Sequence, residues 1–138
     1  MPAHTFNDAR ERCNAIEECY EFLLAYAGKG FPGDQGGGGQ LRHLLGRAAE
    51  SLSGIAEAYA SEVKEQGLEP WPRYERFLKM LERDAENSRA AIEMVSSLPS
   101  ISSQVIDNLN ALIHLRALLT DLFLIDEILR PQRVSAPQ

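Results

Sequence analysis

The chain has 138 residues, the usual size of one domain with its own hydrophobic core. It carries 14 Lys and Arg against 20 Asp and Glu, a formal net charge of −6. This acidic balance, without a run of basic residues, argues against nucleic acid or a membrane surface as a partner. Leucine and alanine occur 18 and 16 times, but valine and threonine only 4 and 2 times. The composition therefore favours an all-α fold over a sheet-rich one.

Targeting signals are not recognisable in the sequence. No basic region followed by an apolar stretch opens the chain, so a secretory signal is not expected. The most apolar stretch, residues 109–125, is interrupted by polar side chains such as Asp121 and does not predict a membrane span. Two cysteines, Cys13 and Cys19, do not make a disulfide framework. We expect a cytoplasmic protein.

The first helical segment is predicted over about Thr5 to Ala27, because apolar residues recur there at three- and four-residue steps. These residues are Ala9, Cys13, Ile16, Tyr20, Leu23 and Ala27. Residues 28–39 follow, with seven glycines in twelve positions. Each glycine costs about 1 kcal/mol relative to alanine in a helix, so this glycine-rich segment predicts a flexible crossover loop.

Two plainly amphipathic helices are predicted next, over Gln40 to Gln66 and Arg73 to Leu98. Each has a single apolar stripe at helical spacing. The stripe of the second helix consists of Leu41, Leu45, Ala48, Leu52, Ile55, Tyr59 and Val63, and that of the third of Tyr74, Phe77, Leu78, Leu81, Ala85, Ile92 and Val95. Gly67 and two prolines end the second helix, and Pro99 ends the third.

A fourth helix is predicted from the serines near position 102, which are suited to capping, to about Leu129, where Pro131 blocks further helix. We therefore predict an antiparallel four-helix bundle with up-down-up-down topology and a Gly-rich loop between helices 1 and 2. Residues 1–130 are expected to form this single domain. Residues 131–138 are expected to be a disordered tail.

The fourth predicted helix is apolar nearly all round, and the first carries a second apolar row beside its main stripe. One explanation is that these two helices face a second copy of the chain, or another protein. The alternative is that the fourth helix is simply the central element of the bundle. On the first explanation, the predicted interface residues are Cys19, Phe22, Tyr26, Leu115, Leu118, Leu122 and Ile125.

The Gly-rich loop leads directly into the second predicted helix, whose N-terminal N–H groups and dipole favour an anion. Four nearby side chains add positive or titratable character, and they form a predicted ligand site. They are Lys29, Arg42, His43 and Arg47. The phosphate-loop spacing GxxxxGK[ST] is not present. A phosphate-responsive or small-ligand regulator is therefore the alternative function.

Two short resemblances do not extend to the residues that carry function. The run around His43 resembles the phosphorylated helix of histidine phosphotransfer domains. That family has lysine and then glycine at the third and fourth positions after the histidine, where this chain has Gly46 and Arg47. Arg116 resembles the arginine of HEPN-type ribonucleases, but Asp121 stands where their motif has histidine. Neither family lends its function to this chain.

No converging catalytic set is visible, and the spacing of ligands in di-iron bundles does not occur. We therefore expect neither a metal nor a cofactor. The favoured function is that of a non-enzymatic interaction, scaffold or accessory protein, whose partner is itself, as a homodimer or larger assembly, or another protein. An enzyme with an unfamiliar site around His114, Asp121 and Tyr20 is a third possibility.

Overall fold

The computed structural model describes residues 5–34 and 39–135, and within these ranges it contains six α-helices and no strand. The predicted all-α class is confirmed. The helices are α1 (Thr5–Ala27), α2 (Gln40–Leu52), α3 (Ile55–Gln66), α4 (Trp71–Ser96), α5 (Ser103–Ala111) and α6 (Ile113–Ser135). None of the described helices has the length and apolar character needed to cross a membrane.

The second predicted helix is in fact two helices. Ser53 leaves the helical conformation with ψ 111°, and Gly54 has φ +88°, a left-handed conformation that suits glycine. The guanidinium of Arg12, on α1, donates to the carbonyl oxygens of Ser51 at 3.1 Å and Ser53 at 2.6 Å. These bonds satisfy carbonyls that lose their partners where α2 ends. The apolar stripe continues across the break, and all seven of its residues are buried.

The fourth predicted helix is also divided, so residues 5–34 and 39–135 hold six helices where four were predicted. Leu112, with ψ 127°, separates α5 from α6. The hydroxyl of Ser102 accepts a bond from the Val105 N–H at the start of α5, as a capping serine does.

The predicted end of the last helix at Pro131 is not seen, because α6 continues to Ser135. The proline removes one backbone donor from the helix. The helix is held beyond the proline by Arg133, which forms ion pairs with Glu62 of α3 and with Asp126 of α6 itself. Residues 131–135 of the expected disordered tail are therefore helical, and residues 136–138 lie outside the described ranges.

One hydrophobic core joins the six helices. Helix α1 packs against α2, α3 and α5, and α4 packs against α2, α3 and α6. Every helix and the α4–α5 linker contribute a fully buried large side chain. These are Tyr59, Leu23, Leu45, Leu52, Ile55, Leu81, Ile92, Ile101, Ile106, Leu118, Leu122 and Ile125.

The glycine-rich segment is anchored over residues 28–34, where a free crossover was predicted. The carboxylate of Asp34 accepts from the N–H of Ile101 at 2.8 Å. Phe31 donates its N–H to the hydroxyl of Ser103 and accepts the N–H of Ser103, both at 2.9 Å. A side chain at Gly33 would collide with Ser100. We call these contacts, together with the bonds of the Arg42 guanidinium to Asp34, Ser96 and Leu98, the loop clasp. Residues 35–38 lie outside the described ranges.

Candidate functional site

The residues predicted to form the interface are covered within the folded chain, which corrects the interpretation of the sequence. Phe22 is half-buried, and the remaining six are buried: Cys19, Tyr26, Leu115, Leu118, Leu122 and Ile125. Helix α6 packs against α4 and α5, and its residues Leu115, Leu118, Leu122 and Ile125 are buried on the side that faces the core. Burial and the neighbouring Glu18 carboxylate raise the pKa of Cys19 to about 12, which keeps this thiol protonated.

A different apolar surface is exposed on α6. Ile113 is 73% exposed, Phe123 and Leu124 are each 52% exposed, and Ile128 is 40% exposed. Arg116, Thr120 and Glu127 stand between them and are also exposed. At 100° per residue, these seven residues share one side of the helix. We call them the outer face of α6: Ile113, Arg116, Thr120, Phe123, Leu124, Glu127 and Ile128.

An apolar groove borders this face. It has a volume of about 270 Å³ and lies between the start of α4 and the second half of α6. Tyr74 and Phe77 line it from α4, and Ile125 and Ile128 line it from α6. Ile128 thus belongs both to the groove and to the outer face, so the two form one continuous apolar area.

The predicted ligand residues differ in their surroundings. The guanidinium of Arg42 pairs with Asp34 at 2.6 Å and donates to the carbonyl oxygens of Ser96 and Leu98, so each of its three nitrogens has a protein partner. This guanidinium holds the pKa of Asp34 below its usual value. His43 and Lys29 are exposed.

The fourth predicted ligand residue, Arg47, is exposed and pairs with Glu18 at 3.0 Å. Because all three nitrogens of Arg42 already have protein partners, its guanidinium belongs to the loop clasp and is not offered to an anion.

A buried polar network lies where α1, α3 and α6 meet. Glu62 is fully buried on α3, and both of its carboxylate oxygens accept from Arg133, at 2.7 and 2.8 Å. Arg133 also lies 3.2 Å from Asp126. The hydroxyl of Tyr59 donates to the same Asp126 oxygen, Oδ1, at 2.8 Å. Because burial raises the pKa of Tyr59, this phenol keeps its proton and remains a donor.

The other oxygen of Asp126, Oδ2, faces Cys13. The two atoms are 3.3 Å apart, and the Cys13 sulfur is 3.7 Å from a carboxylate oxygen of Glu17. Burial and the two carboxylates raise the pKa of Cys13 well above its usual value. The network opens on a polar cleft of about 350 Å³, which Arg10, Asn14 and Arg130 also line.

The three residues of the enzyme hypothesis have different surroundings. His114 is exposed, Tyr20 is half-buried on α1, and Asp121 is buried at the α4–α6 contact beside Asp84. Burial and the hydrogen-bonded Asp84 carboxyl raise the pKa of Asp121 to about 7. Asp121 therefore keeps its proton up to about neutral pH.

The Asp84–Asp121 pair gives a testable pH dependence. In the unfolded chain Asp121 loses its proton near its ordinary pKa of about 3.9, whereas in the folded chain it keeps it to about 7. The folded state thus binds more protons in this window, and stability falls as the pH rises from about 4 to about 7. We expect Asp121→Asn to remove this slope and to raise the free energy of unfolding at pH 8 by at least about 1 kcal/mol. Urea unfolding at several pH values measures both effects, and parallel curves for the two proteins would contradict the assignment.

Cys13 belongs to the apolar stripe that the sequence predicts for the first helix, and Glu17 lies further along the same predicted helix. Their spacing of four residues already puts them on one side of a helix. Asp126 is 113 residues away from Cys13, and only the tertiary fold brings the two together. No signal in the sequence indicates that third member.

Comparison with known proteins adds no assignment. No protein-family model matches the chain, and neither the curated proteins nor the solved structures give a significant match.

Proposed function

We propose that the protein is a non-enzymatic interaction module that forms a homodimer through the outer face of α6. One observation carries the proposal: four large apolar side chains are exposed on one side of a single helix. An exposed surface with several large apolar side chains on one face marks an interaction site more often than singly scattered side chains do. The hydrophobic effect favours covering it.

The order of charges on this face supports a second copy as the occupant. In a two-fold contact, residue i meets j and j meets i. If two α6 helices pair antiparallel, Ile113 meets Ile128 of the copy, and Arg116 meets Glu127. The midpoints of these two pairs, 120.5 and 121.5 in residue number, nearly coincide. A single two-fold axis near residue 121 therefore brings both the isoleucines and the opposite charges together. The face is self-complementary in this sense.

Charge exchange across this axis tests the proposal. We expect Arg116→Glu and Glu127→Arg each to place like charges opposite one another and to weaken the dimer at least tenfold. The double variant restores opposite charges and is expected to restore the dimer. Sedimentation equilibrium over a range of concentrations gives the dissociation constant of each protein. Failure of the double variant to recover would refute the antiparallel arrangement.

A matched pair of leucines tests the face itself. Leu124→Asp introduces a charge near the axis and should yield a monomer that remains helical by circular dichroism. Leu24, on α1, is 50% exposed, nearly the same as the 52% of Leu124. Leu24→Asp is therefore the control and should leave the dimer intact. A wild-type chain that stays monomeric at high concentration would overturn the proposed function.

We infer that α2 with α3, and α5 with α6, act as two interrupted rods of a four-rod bundle within one domain. Both cysteines are free, which accords with a reducing, cytoplasmic location. The alternative function, a phosphate-responsive regulator, gains no support from Arg42, because its guanidinium is engaged in the loop clasp.

A further inference from the structure

We propose that Cys13, Glu17 and Asp126 form a binding site for a divalent metal ion, with zinc as the expected occupant. The candidate ligand atoms, one sulfur and two carboxylate oxygens, all lie within 4.8 Å of one another. Two of the residues are one helical turn apart on α1, and the third comes from α6. Thiolate together with carboxylate is a donor set that suits zinc, whereas magnesium and calcium prefer oxygen alone.

The distances between the donor atoms fit tetrahedral coordination. With zinc–sulfur and zinc–oxygen bonds of about 2.3 and about 2.0 Å, the sulfur–oxygen edge of a tetrahedron is about 3.5 Å. The Cys13 sulfur lies 3.3 Å from Asp126 and 3.7 Å from Glu17. Both sulfur–oxygen distances are thus within about 0.2 Å of the tetrahedral value, and the two carboxylate oxygens lie within 4.8 Å of each other.

The surroundings orient Asp126 for this task. Its Oδ1 is occupied by the hydroxyl of Tyr59 and by Arg133, whereas its Oδ2 faces the Cys13 sulfur. Groups that hold the outer oxygen of a ligating carboxylate in this way are a regular feature of metal sites. Glu62 neutralises Arg133 through two hydrogen bonds, so this cation adds little net repulsion to the site.

Charge balance also favours a cation. A protonated thiol has one hydrogen, but Cys13 has two carboxylates beside it. The hydrogen serves one carboxylate at a time. A divalent ion displaces this proton to solvent; bound to the resulting thiolate, Glu17 and Asp126, it neutralises two of the three negative charges and contacts all three donors at once.

A fourth coordination position opens on the polar cleft. Glu17 and Asp126 line this cleft of about 350 Å³ together with Arg10, Asn14 and Arg130. Zinc held by three protein ligands keeps such a position for water. None of the three ligands belongs to the outer face of α6, but Phe123 and Glu127 of that face also line the cleft, so the proposed dimer contact borders the open side of the site.

Cobalt(II) is the probe for this site, because it takes the geometry of zinc and its bond to a thiolate gives a charge-transfer absorption in the near ultraviolet. We expect the purified full chain to show this absorption, and zinc to abolish it by displacement. Cys13→Ser should remove it. Cys19→Ser is the matched control, because Cys19 is equally buried on the same helix but lies outside the cluster, and it should bind like wild type.

Tyr59→Phe provides a test that keeps all three ligands. It removes only the hydroxyl that orients Asp126 and should weaken zinc binding about 10- to 100-fold, as loss of such an orienting group does. Glu18→Gln, next to Glu17 but on the exposed surface, should change nothing. The proposal is wrong if wild type shows no thiolate–cobalt absorption, if Cys13→Ser retains it, or if Tyr59→Phe binds zinc as tightly as wild type.

Discussion

Replacing Arg133 with methionine is expected to lower the free energy of unfolding by about 3–5 kcal/mol, the usual cost of breaking a buried ion pair from one side. Glu62 has no exposed surface, and Arg133 is its bidentate partner. Methionine keeps most of the apolar stem, so the loss reports on the charge rather than on packing. Urea unfolding in the presence of a chelator measures it without a contribution from bound metal.

Two comparisons make this expectation specific. Arg130→Met removes an exposed pair with Glu127 on the same helix and should cost no more than about 1 kcal/mol. Replacing Glu62 and Arg133 together by methionine should recover most of the loss, because no buried charge is left unpaired. Truncation after Arg130 should be as damaging as Arg133→Met. A harmless truncation would mean that the predicted disordered tail was the right description after all.

Two leucines on α6, only two residues apart, should respond very differently to the same truncation. Leu122 is fully buried, whereas Leu124 is about half exposed. We expect Leu122→Ala to cost about 3–5 kcal/mol, because the core loses apolar contact and keeps a cavity. Leu124→Ala should stay within about 0.5 kcal/mol when measured on the dissociated monomer.

This comparison also separates folding from assembly. Leu122 belonged to the interface predicted from sequence, and a charged residue there should unfold the chain rather than dissociate a folded dimer. Equal stability losses at the two positions would show that α6 is rotated relative to the structure described above.

The helical class and the apolar stripes were predictable because they depend on local spacing. The first predicted segment has the bounds of α1, the second begins with α2 and ends with α3, and the third matches α4 to within two residues at each end. The breaks were not predictable in the same way. A stripe that continues from Leu52 to Ile55 gives no sign that Gly54 takes a left-handed conformation, or that Arg12 of a distant helix satisfies the carbonyls there.

The surfaces were harder to predict than the helices. An all-round apolar helix indicates burial but does not tell which neighbours bury it. The sequence therefore marked Leu118 and Leu122 as interface residues, although α6 places them in the core and leaves Leu124 exposed. The Cys13–Asp126 contact depends on the same unseen packing. The local sequence pattern puts Cys13 and Glu17 on one side of a helix, whereas only the tertiary fold brings Asp126 beside them.

The loop clasp joins residues that are far apart in the sequence. Asp34 and Phe31 bond to Ile101 and Ser103 across 67 and 72 positions of the chain. An isolated N-terminal half would leave these donors and acceptors without partners, and the C-terminal half would leave the α4–α5 linker equally unsupported. Neither half is then a folding unit of its own. The chain is expected to unfold in a single cooperative step. Because refolding has to close this long loop, we expect the refolding rate to be slow.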